Sequence, residues 1–144
     1  MRDELLAWQW QLYGDNHVDR RNLALHIVTN PLFLLGNVFA AASAAAAVAY
    51  DVRCAAGVVV GAAASVLAVA LQGRGHRGEA VAPVPFDGAG DVVSRIFVEQ
   101  WITFPRYVLS GRFAQAWRAS ATPSSRPSSA ASSSSPPSSS SSSS

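Results

Sequence analysis

Two apolar runs in the middle of the chain decide its fold. They are Pro31–Tyr50, PLFLLGNVFAAASAAAAVAY, and Ala55–Leu71, AAGVVVGAAASVLAVAL. Only residues 51–54 separate the runs, and so short a connection joins helices that are antiparallel neighbours. A helix rises 1.5 Å per residue and crosses about 30 Å of hydrocarbon with about 20 residues. The runs therefore predict a hairpin of two membrane helices, with both outer ends on the same side.

A soluble helical bundle with two buried helices is the alternative. Neither run has a polar face at the helical period, and a helix that is apolar all round needs a large core or lipid around it. A chain of 144 residues is too small to enclose both. We therefore expect an all-α protein with a membrane-embedded helical domain over residues 1–118 and a disordered Ser/Pro-rich tail over residues 119–144.

Charge and cysteine content exclude some classes of protein. The net charge is only +2, whereas nucleic-acid-binding proteins carry a dense basic face. The single Cys54 excludes an internal disulfide. The N-terminus is acidic and lacks the apolar stretch of a signal peptide. Arginines flank the outer ends of both runs, so the positive-inside rule predicts that both termini are cytoplasmic.

The segments on either side of the hairpin are amphipathic. Residues 3–13 carry leucine and tryptophan on one side, which suits the boundary between water and lipid. Residues 91–109 form a second amphipathic helix, with Asp91 as its N-cap and Pro105 as a kink or end. We expect this helix to lie flat on the bilayer surface or against the hairpin.

A polar stripe leads into the first apolar run. Asn22, His26 and Asn30 are four residues apart and share one helix face, which Asn37 roughly continues. Polar side chains are costly inside a membrane, so the stripe indicates a functional site. The alternative is a set of hydrogen bonds that only holds the two helices together.

Residues 73–78, GRGHRG, match the dinucleotide-binding motif GxGxxG literally. That motif requires a following helix, which Pro83 and Pro85 forbid, so we reject a nucleotide site. The glycines are instead expected to let the chain turn at the interface. Such a turn would bring His76 and Glu79 back toward His26.

All three histidines of the chain, His17, His26 and His76, lie just outside the apolar runs at their outer ends. Together with Glu79 or Glu99 they supply a mixed set of imidazole and carboxylate ligands. Such a set suits Fe(II), Zn or Mn, and two or three histidines with an open position suit iron that activates O2. The sequence therefore predicts a metal site at one face of the membrane.

The motifs around the hairpin resemble those of a known family. They are Tyr13-x3-His17-x4-Asn22-x3-His26-x4-Pro31 and, after the hairpin, Gly75-His76-x2-Glu79-x3-Pro83. The family is named for the metabolism of phytosphingosine to odd-numbered fatty acids, and the similarity covers about residues 8–113. Its fungal member is an iron(II)-dependent membrane dioxygenase that shortens 2-hydroxy fatty acids by one carbon. Residues 83–86 and 99–107 resemble a bacterial branch of this family.

The resemblance implies a ligand set. His17, His26 and His76 would hold Fe(2+), Glu79 would be a further ligand or orient one, and Asn22 would fix the ligand geometry. Because those ligands leave metal positions open, a 2-hydroxy acid could bind there through its hydroxyl and carboxylate, beside O2.

The resemblance also implies a place for the substrate. Arg74, Arg77 or Arg20 would meet the substrate carboxylate, and the acyl chain would lie along the hairpin within the bilayer. Two other functions stay open from the sequence. One is a non-catalytic membrane hairpin that scaffolds or senses lipid, with its histidines as interfacial anchors. The other is a soluble bundle that binds an apolar ligand.

Overall fold

The computed structural model describes residues 4–120, all of whose regular structure is helical. The α-helices are α1 (Leu5–Leu12), α2 (Arg20–Ala49), α3 (Ala56–Gly75), α4 (Gly88–Val98), α5 (Phe104–Leu109) and α6 (Arg112–Ala119). Short 3₁₀ turns at Val52–Ala55 and His76–Gly78 bracket α3, and a π-helical segment, Glu99–Thr103, joins α4 to α5. The all-α prediction is confirmed. The tail predicted to be disordered lies outside the described residues from position 121 onward.

Helix α2 begins well before its apolar run because Asp19 caps it. The Asp19 carboxylate accepts hydrogen bonds from the backbone N–H groups of Arg21 and Asn22 at 2.7 and 3.1 Å. Pro31 lies inside the helix without ending it. The polar stripe and the apolar run therefore belong to one continuous helix, which fixes the stripe relative to the hairpin.

Helices α2 and α3 form the predicted hairpin, and small residues let their backbones approach closely. A Cβ atom added to Gly36 would lie 2.7 Å from the carbonyl oxygen of Gly61, well inside normal contact. The Asn37 amide donates to Phe33 O at 2.8 Å and to Ser65 Oγ at 3.0 Å. The polar groups in this part of the hairpin are thus paired within it.

Both long helices keep most of their apolar surface uncovered. Only 11% of the most apolar stretch of Arg20–Ala49 and 17% of that of Val52–Gly78 are buried. Leu35, Val59 and Val66 are each exposed by about two thirds or more. The core helices of a soluble protein would be covered instead. Both helices are long and apolar enough to cross a membrane, and their bare surface is what lipid would cover.

The second amphipathic helix begins with α4, and α4 packs against the hairpin, which is one of the two positions expected for it. Phe97 of α4 packs edge-on against Phe33 of α2, with ring centroids 5.7 Å apart. The expected N-cap is wrong. Helix α4 begins at Gly88, and Asp91 lies in its first turn, where its carboxylate accepts the backbone N–H of Asp87 at 3.0 Å.

Helices α1, α5 and α6 pack over the outer end of the hairpin. Their core is aromatic and includes the first turns of α2: Tyr13, Leu23, Phe104 and Tyr107 are all nearly inaccessible. Arg106 and Arg112 of this cap both stack on the Trp10 ring, at 4.2 and 4.8 Å from its centre. The cap shields the part of the hairpin where the histidines lie.

Candidate metal centre

Three histidines and one glutamate converge at the outer end of the hairpin. His17 comes from the loop after α1, His26 from α2, His76 from the 3₁₀ turn after α3, and Glu99 from the start of the π-helical segment. One possible ligand atom of each lies within 4.8 Å of those of the others. The group therefore has the donor types and the spacing to hold a metal ion.

Backbone carbonyl groups fix which nitrogen of the His17 and His26 rings faces the centre. Nδ1 of His17 lies 2.8 Å from the carbonyl oxygen of Tyr13, and Nδ1 of His26 lies 3.0 Å from that of Asn22. A carbonyl oxygen only accepts, so we assign the ring proton to Nδ1 in both residues. Each Nε2 then carries a lone pair, as a metal ligand requires.

The two lone pairs face each other. Nε2 of His17 lies 3.3 Å from Nε2 of His26, and Oε1 of Glu99 lies 3.9 and 3.6 Å from these two nitrogens. Lone pairs at this distance repel unless a cation lies among them. A proton bonds to one nitrogen at a time, whereas a metal ion accepts a lone pair from every ring. The donor set therefore fits a divalent cation.

Burial keeps these groups in the forms that bind metal. The pKa of His17 is lowered from 6.5 to about 3, mainly because burial penalises the charged ring and also because His26 lies beside it. Burial alone would raise the pKa of Glu99, but the neighbouring His26, together with His17 and His76, outweighs it and lowers the pKa to about 2. At neutral pH the centre thus offers a neutral imidazole of His17 and an ionised carboxylate.

The π-helical segment turns Glu99 toward the histidines. The backbone N–H of Phe104 bonds to the carbonyl oxygen of Glu99, one residue farther than in an α-helix. Gln100 and Thr103 of the same segment are buried as well. A regular helical period puts Glu99 outside the apolar stripe of 91–109, which is why the sequence did not separate it from Glu79 as the candidate ligand.

Side-chain amides anchor this segment to the hairpin. The Gln100 amide donates to Gln72 Oε1 at 2.5 Å, and the Gln72 amide donates to Gln100 Oε1 at 3.1 Å and to Thr29 Oγ1 at 2.9 Å. Asn30 donates to the Gln100 carbonyl oxygen at 2.8 Å and to its Oε1 at 3.0 Å. All four side chains are buried. The network fixes the residue next to Glu99 against both α2 and α3.

Glu79 lies behind the centre rather than in it. Its carboxylate accepts the backbone N–H groups of Val18 and Asp19 at 3.1 and 3.0 Å and the Asn22 amide at 2.6 Å. These bonds hold the loop that carries His17 against the end of α3. The resemblance left Glu79 as a ligand or as an orienting residue, and this geometry is that of an orienting residue.

Asn22 contacts the supports of two candidate ligands. Its side chain bonds to Glu79, and its backbone carbonyl accepts the His26 ring proton. Its Oδ1 is buried and has no hydrogen-bond partner within residues 4–120. A Cβ atom on Gly75 would lie 2.5 Å from this oxygen, so Asn22 requires glycine at that position. Asn22 thus links Glu79 to the backbone that holds the His26 ring.

Tyr13 covers the other side of His17. The two rings are stacked, with centroids 3.9 Å apart and an interplanar angle of 16°. The Tyr13 hydroxyl donates to Glu99 Oε1 at 3.3 Å. Burial, reinforced by the charge of Glu99, raises the pKa of Tyr13 well above its usual value of 10. Tyr13 therefore keeps its proton and supports the Glu99 carboxylate.

Two cavities reach the centre. The smaller, of about 60 Å³, is lined by Tyr13, His17, His76 and Glu99 among others. The larger, of about 330 Å³, borders His76 and Glu99 too and continues past Gln72 between mainly apolar walls. Three of the four candidate ligands thus border a cavity, and two of them, His76 and Glu99, border the one with room for a substrate.

The arginines expected to meet a substrate carboxylate lie elsewhere. Arg74 and Arg77 are exposed, and neither lines the two cavities that reach the centre. Arg20 stacks on Trp117, with its guanidinium carbon 4.5 Å from the ring centre. The arginine that does line both cavities is Arg95 of α4, which the sequence analysis did not single out.

Comparison of the chain with family models, with curated proteins and with solved structures finds no match. The family resemblance therefore stays a prediction from the motif residues. A function has to be argued from the chemistry of the site itself.

Proposed function

We propose that the protein is a membrane-bound, iron(II)-dependent dioxygenase that shortens 2-hydroxy fatty acids by one carbon. The observation that carries this proposal is the convergence of His17, His26, His76 and Glu99 beside an apolar cavity. The resemblance of the flanking motifs to the phytosphingosine family contributes the reaction class and the substrate.

The donor set favours a catalytic ion. An octahedral ion with four protein ligands keeps two positions open, and histidine–carboxylate sets with open positions are typical of non-haem iron oxygenases. His76 and Glu99 border both cavities, so an open side of the ion would face accessible space. Bound iron(II) would supply the activation of O2 and the Lewis acidity that side chains lack.

Residues around the four ligands would keep the ligands in the orientation and charge state that bind the metal ion. The carbonyl groups of Tyr13 and Asn22 hold the His17 and His26 rings with Nε2 inward. Glu79 accepts a hydrogen bond from the backbone of the loop that carries His17, and the Tyr13 hydroxyl stabilises the charge on Glu99. Such support from outside the ligand set limits the reorganisation that accompanies reaction.

We place the centre at the cytoplasmic face of a membrane crossed twice, with both termini in the cytoplasm. Four arginines lie at the outer ends of the two helices: Arg20, Arg21, Arg74 and Arg77. The connecting turn has only Arg53, with Asp51 beside it. This asymmetry favours the proposed orientation by the positive-inside rule.

A non-catalytic membrane hairpin that scaffolds or senses lipid is the second candidate. One feature of the centre favours it: four donors also complete the tetrahedral shell of a structural zinc ion, which has no open position. The ion would then hold the loop, the hairpin and the π-helical segment together and do no chemistry.

The metal content of the purified protein separates the two. After anaerobic, reducing purification in detergent, we expect about one iron per chain and uptake of O2 that depends on 2-hydroxypalmitate. Both should be lost in His26→Ala and in His76→Ala, and both should persist in Ile27→Ala, which changes the exposed neighbour of His26. Tightly held zinc without O2 uptake would support a scaffold with a structural ion, and a metal-free wild type would support the scaffold whose histidines are interfacial anchors.

A further inference from the structure

The larger cavity beside the metal centre adjoins a further cavity. A third cavity, of about 510 Å³, lies between the hairpin and α4, and it shares the wall residues Val69 and Ile96 with the larger cavity. The α3 residues that line the two recur at helical spacing and are followed by His76: Ala62, Ser65, Val66, Val69, Ala70, Gln72 and Gly73. Both cavities therefore follow one face of α3 and make a path from the centre into the hairpin.

A buried arginine marks the head of this path. Arg95 is only 8% exposed and lies one helical turn before Glu99. Its Nη1 donates to Asp91 at 3.3 Å and to the Pro85 carbonyl oxygen at 3.1 Å, and its guanidinium stacks on Phe86 at 4.4 Å. Both hydrogen bonds use Nη1 of the guanidinium group, so the N–H groups on its other nitrogens can donate to a planar anion such as a carboxylate.

The far end of the path is defined by a polar pair. Asn37 and Ser65, hydrogen-bonded at 3.0 Å, both line the third cavity. Between Ser65 and the end of α3 at Gly75, beside the centre, the helix rises about 15 Å. An extended chain advances about 1.2 Å per bond, so the path accommodates roughly a dozen carbon–carbon bonds.

We propose that this path binds a single-chain amphiphile with a carboxylate head. The carboxylate bonds to Arg95, and the hydrocarbon chain passes Val69 and Ile96 toward Asn37 and Ser65. The inference rests on the proposed function and names the residues that recognise its substrate. The occupant is a fatty acid from the bilayer, because the path joins one buried cation to a long apolar wall, and each cavity has the volume of a site for one small ligand.

A photoreactive fatty acid tests the path. The full-length protein is placed in phosphatidylcholine vesicles with palmitate that carries a diazirine at its ω end, and labelled residues are mapped by mass spectrometry. Label is expected at Asn37, Ala40 or Ser65, and unmodified palmitate should compete with it better than hexadecanol does. Label confined to outward residues such as Leu35 would overturn the proposal. So would equal labelling of the path by a diazirine-bearing phosphatidylcholine.

A plug at the junction of the two cavities tests the route of the chain. Val69→Trp should lower the ω-end label about tenfold or more, because the new ring fills the shared wall. Leu67→Trp is the matched control, since Leu67 lies on the same helix, is 53% exposed and lines neither cavity. Equal labelling of the two variants would show that the chain does not pass Val69.

The head contact is tested by selectivity rather than by affinity. Arg95→Gln should reduce the preference for palmitate over hexadecanol by about tenfold, because a charge-assisted hydrogen bond is lost. A merely structural role of Arg95 would weaken the competition by both compounds equally, and that result would overturn the assignment.

The probe requires no metal, so the two proposals fail separately. Iron in the protein without label in the path overturns the amphiphile site and leaves the iron centre. Label in the path of a protein that binds no iron keeps the amphiphile site and overturns the dioxygenase.

Discussion

Nε2 of His17 lies 3.3 Å from Nε2 of His26, although neither nitrogen carries a proton. In both rings the proton is on Nδ1, which donates a hydrogen bond to a backbone carbonyl oxygen on the opposite side of the ring. Two parts of the fold hold the rings in this contact. The start of α2, capped by Asp19, positions His26, and the hydrogen bonds of Glu79 position the loop that carries His17. It costs free energy while no cation lies between the rings. A metal ion that binds the folded chain should therefore stabilise it by RT ln(1 + [M]/Kd), where [M] is the free metal concentration.

Loss of charge at Glu79 and at Glu99 should lower the metal affinity by different amounts. Glu79→Gln removes a support behind the ligands, and such changes lower metal affinity by about 10- to 100-fold. Glu99→Gln removes a donor from the centre itself, so the loss should be larger. Titration with Co2+, followed by its visible absorption, measures both. A larger loss in Glu79→Gln would make Glu79 the ligand and Glu99 the support.

The hairpin was predictable because its signal is local and long. Two apolar runs joined by residues 51–54 permit few arrangements, and that connection alone brings the ends of α2 and α3 together. The stripe of Asn22, His26 and Asn30 follows from helical spacing, and all three residues are buried as expected of a site. Convergence of three sequence-remote histidines could thus be anticipated from topology before any distance was known.

Acid should destabilise the metal-free protein. His17 takes up its proton at pH 6.5 when unfolded but only near pH 3 when folded, so the unfolded chain binds more protons between these values. Stability is complete above pH 6.5 and is lost as the pH falls. The free energy of unfolding should be about 2 kcal/mol lower at pH 5 than at pH 7 from this residue alone.

Thermal unfolding of chelator-treated protein in detergent at the two pH values checks this. The His17→Gln variant is the control, since it lacks the titrating ring and should show a smaller difference. An equal drop in Tm for wild type and variant would assign the acid sensitivity to other groups. Glu99 acts in the same direction at lower pH, because its pKa is lowered to about 2.

Two glycines of α3 should give opposite results on substitution by alanine. At Gly61 the added methyl group would overlap the carbonyl of Gly36, so we expect a loss of about 1–3 kcal/mol from forced separation of the helices. At Gly73 nothing lies within 4 Å, and the higher helix propensity of alanine should stabilise the protein by up to about 1 kcal/mol. Unfolding in mixed micelles measures both, and a neutral Gly61→Ala would contradict the close packing.

The identity of the carboxylate could not be predicted from the sequence. The apolar pattern of residues 91–109 assumes a constant helical period, and the π-helical segment inserts one residue at the point where Glu99 occurs. Arg95 was missed for another reason, since the rings of Trp8 and Phe86 that cover its guanidinium come from outside its helix. The segment with Glu99 is held by the bonds of Gln100 to Gln72 and Asn30 across the fold, and a pairing of amides distant in sequence leaves no periodic pattern.

The Gln72–Gln100 pair should couple stability to the metal centre. Gln72→Leu or Gln100→Leu alone leaves a buried amide short of a partner, at a cost of about 1–3 kcal/mol. The double leucine variant removes both amides and should cost less than the sum of the two single changes. Gln100→Leu should also shift the Co2+ absorption, because the segment that carries Glu99 loses its anchor. Asn37→Leu breaks a hydrogen bond deeper in the hairpin and should lower stability without that shift. If Gln100→Leu and the control Asn37→Leu change the spectrum alike, the amide network does not position Glu99.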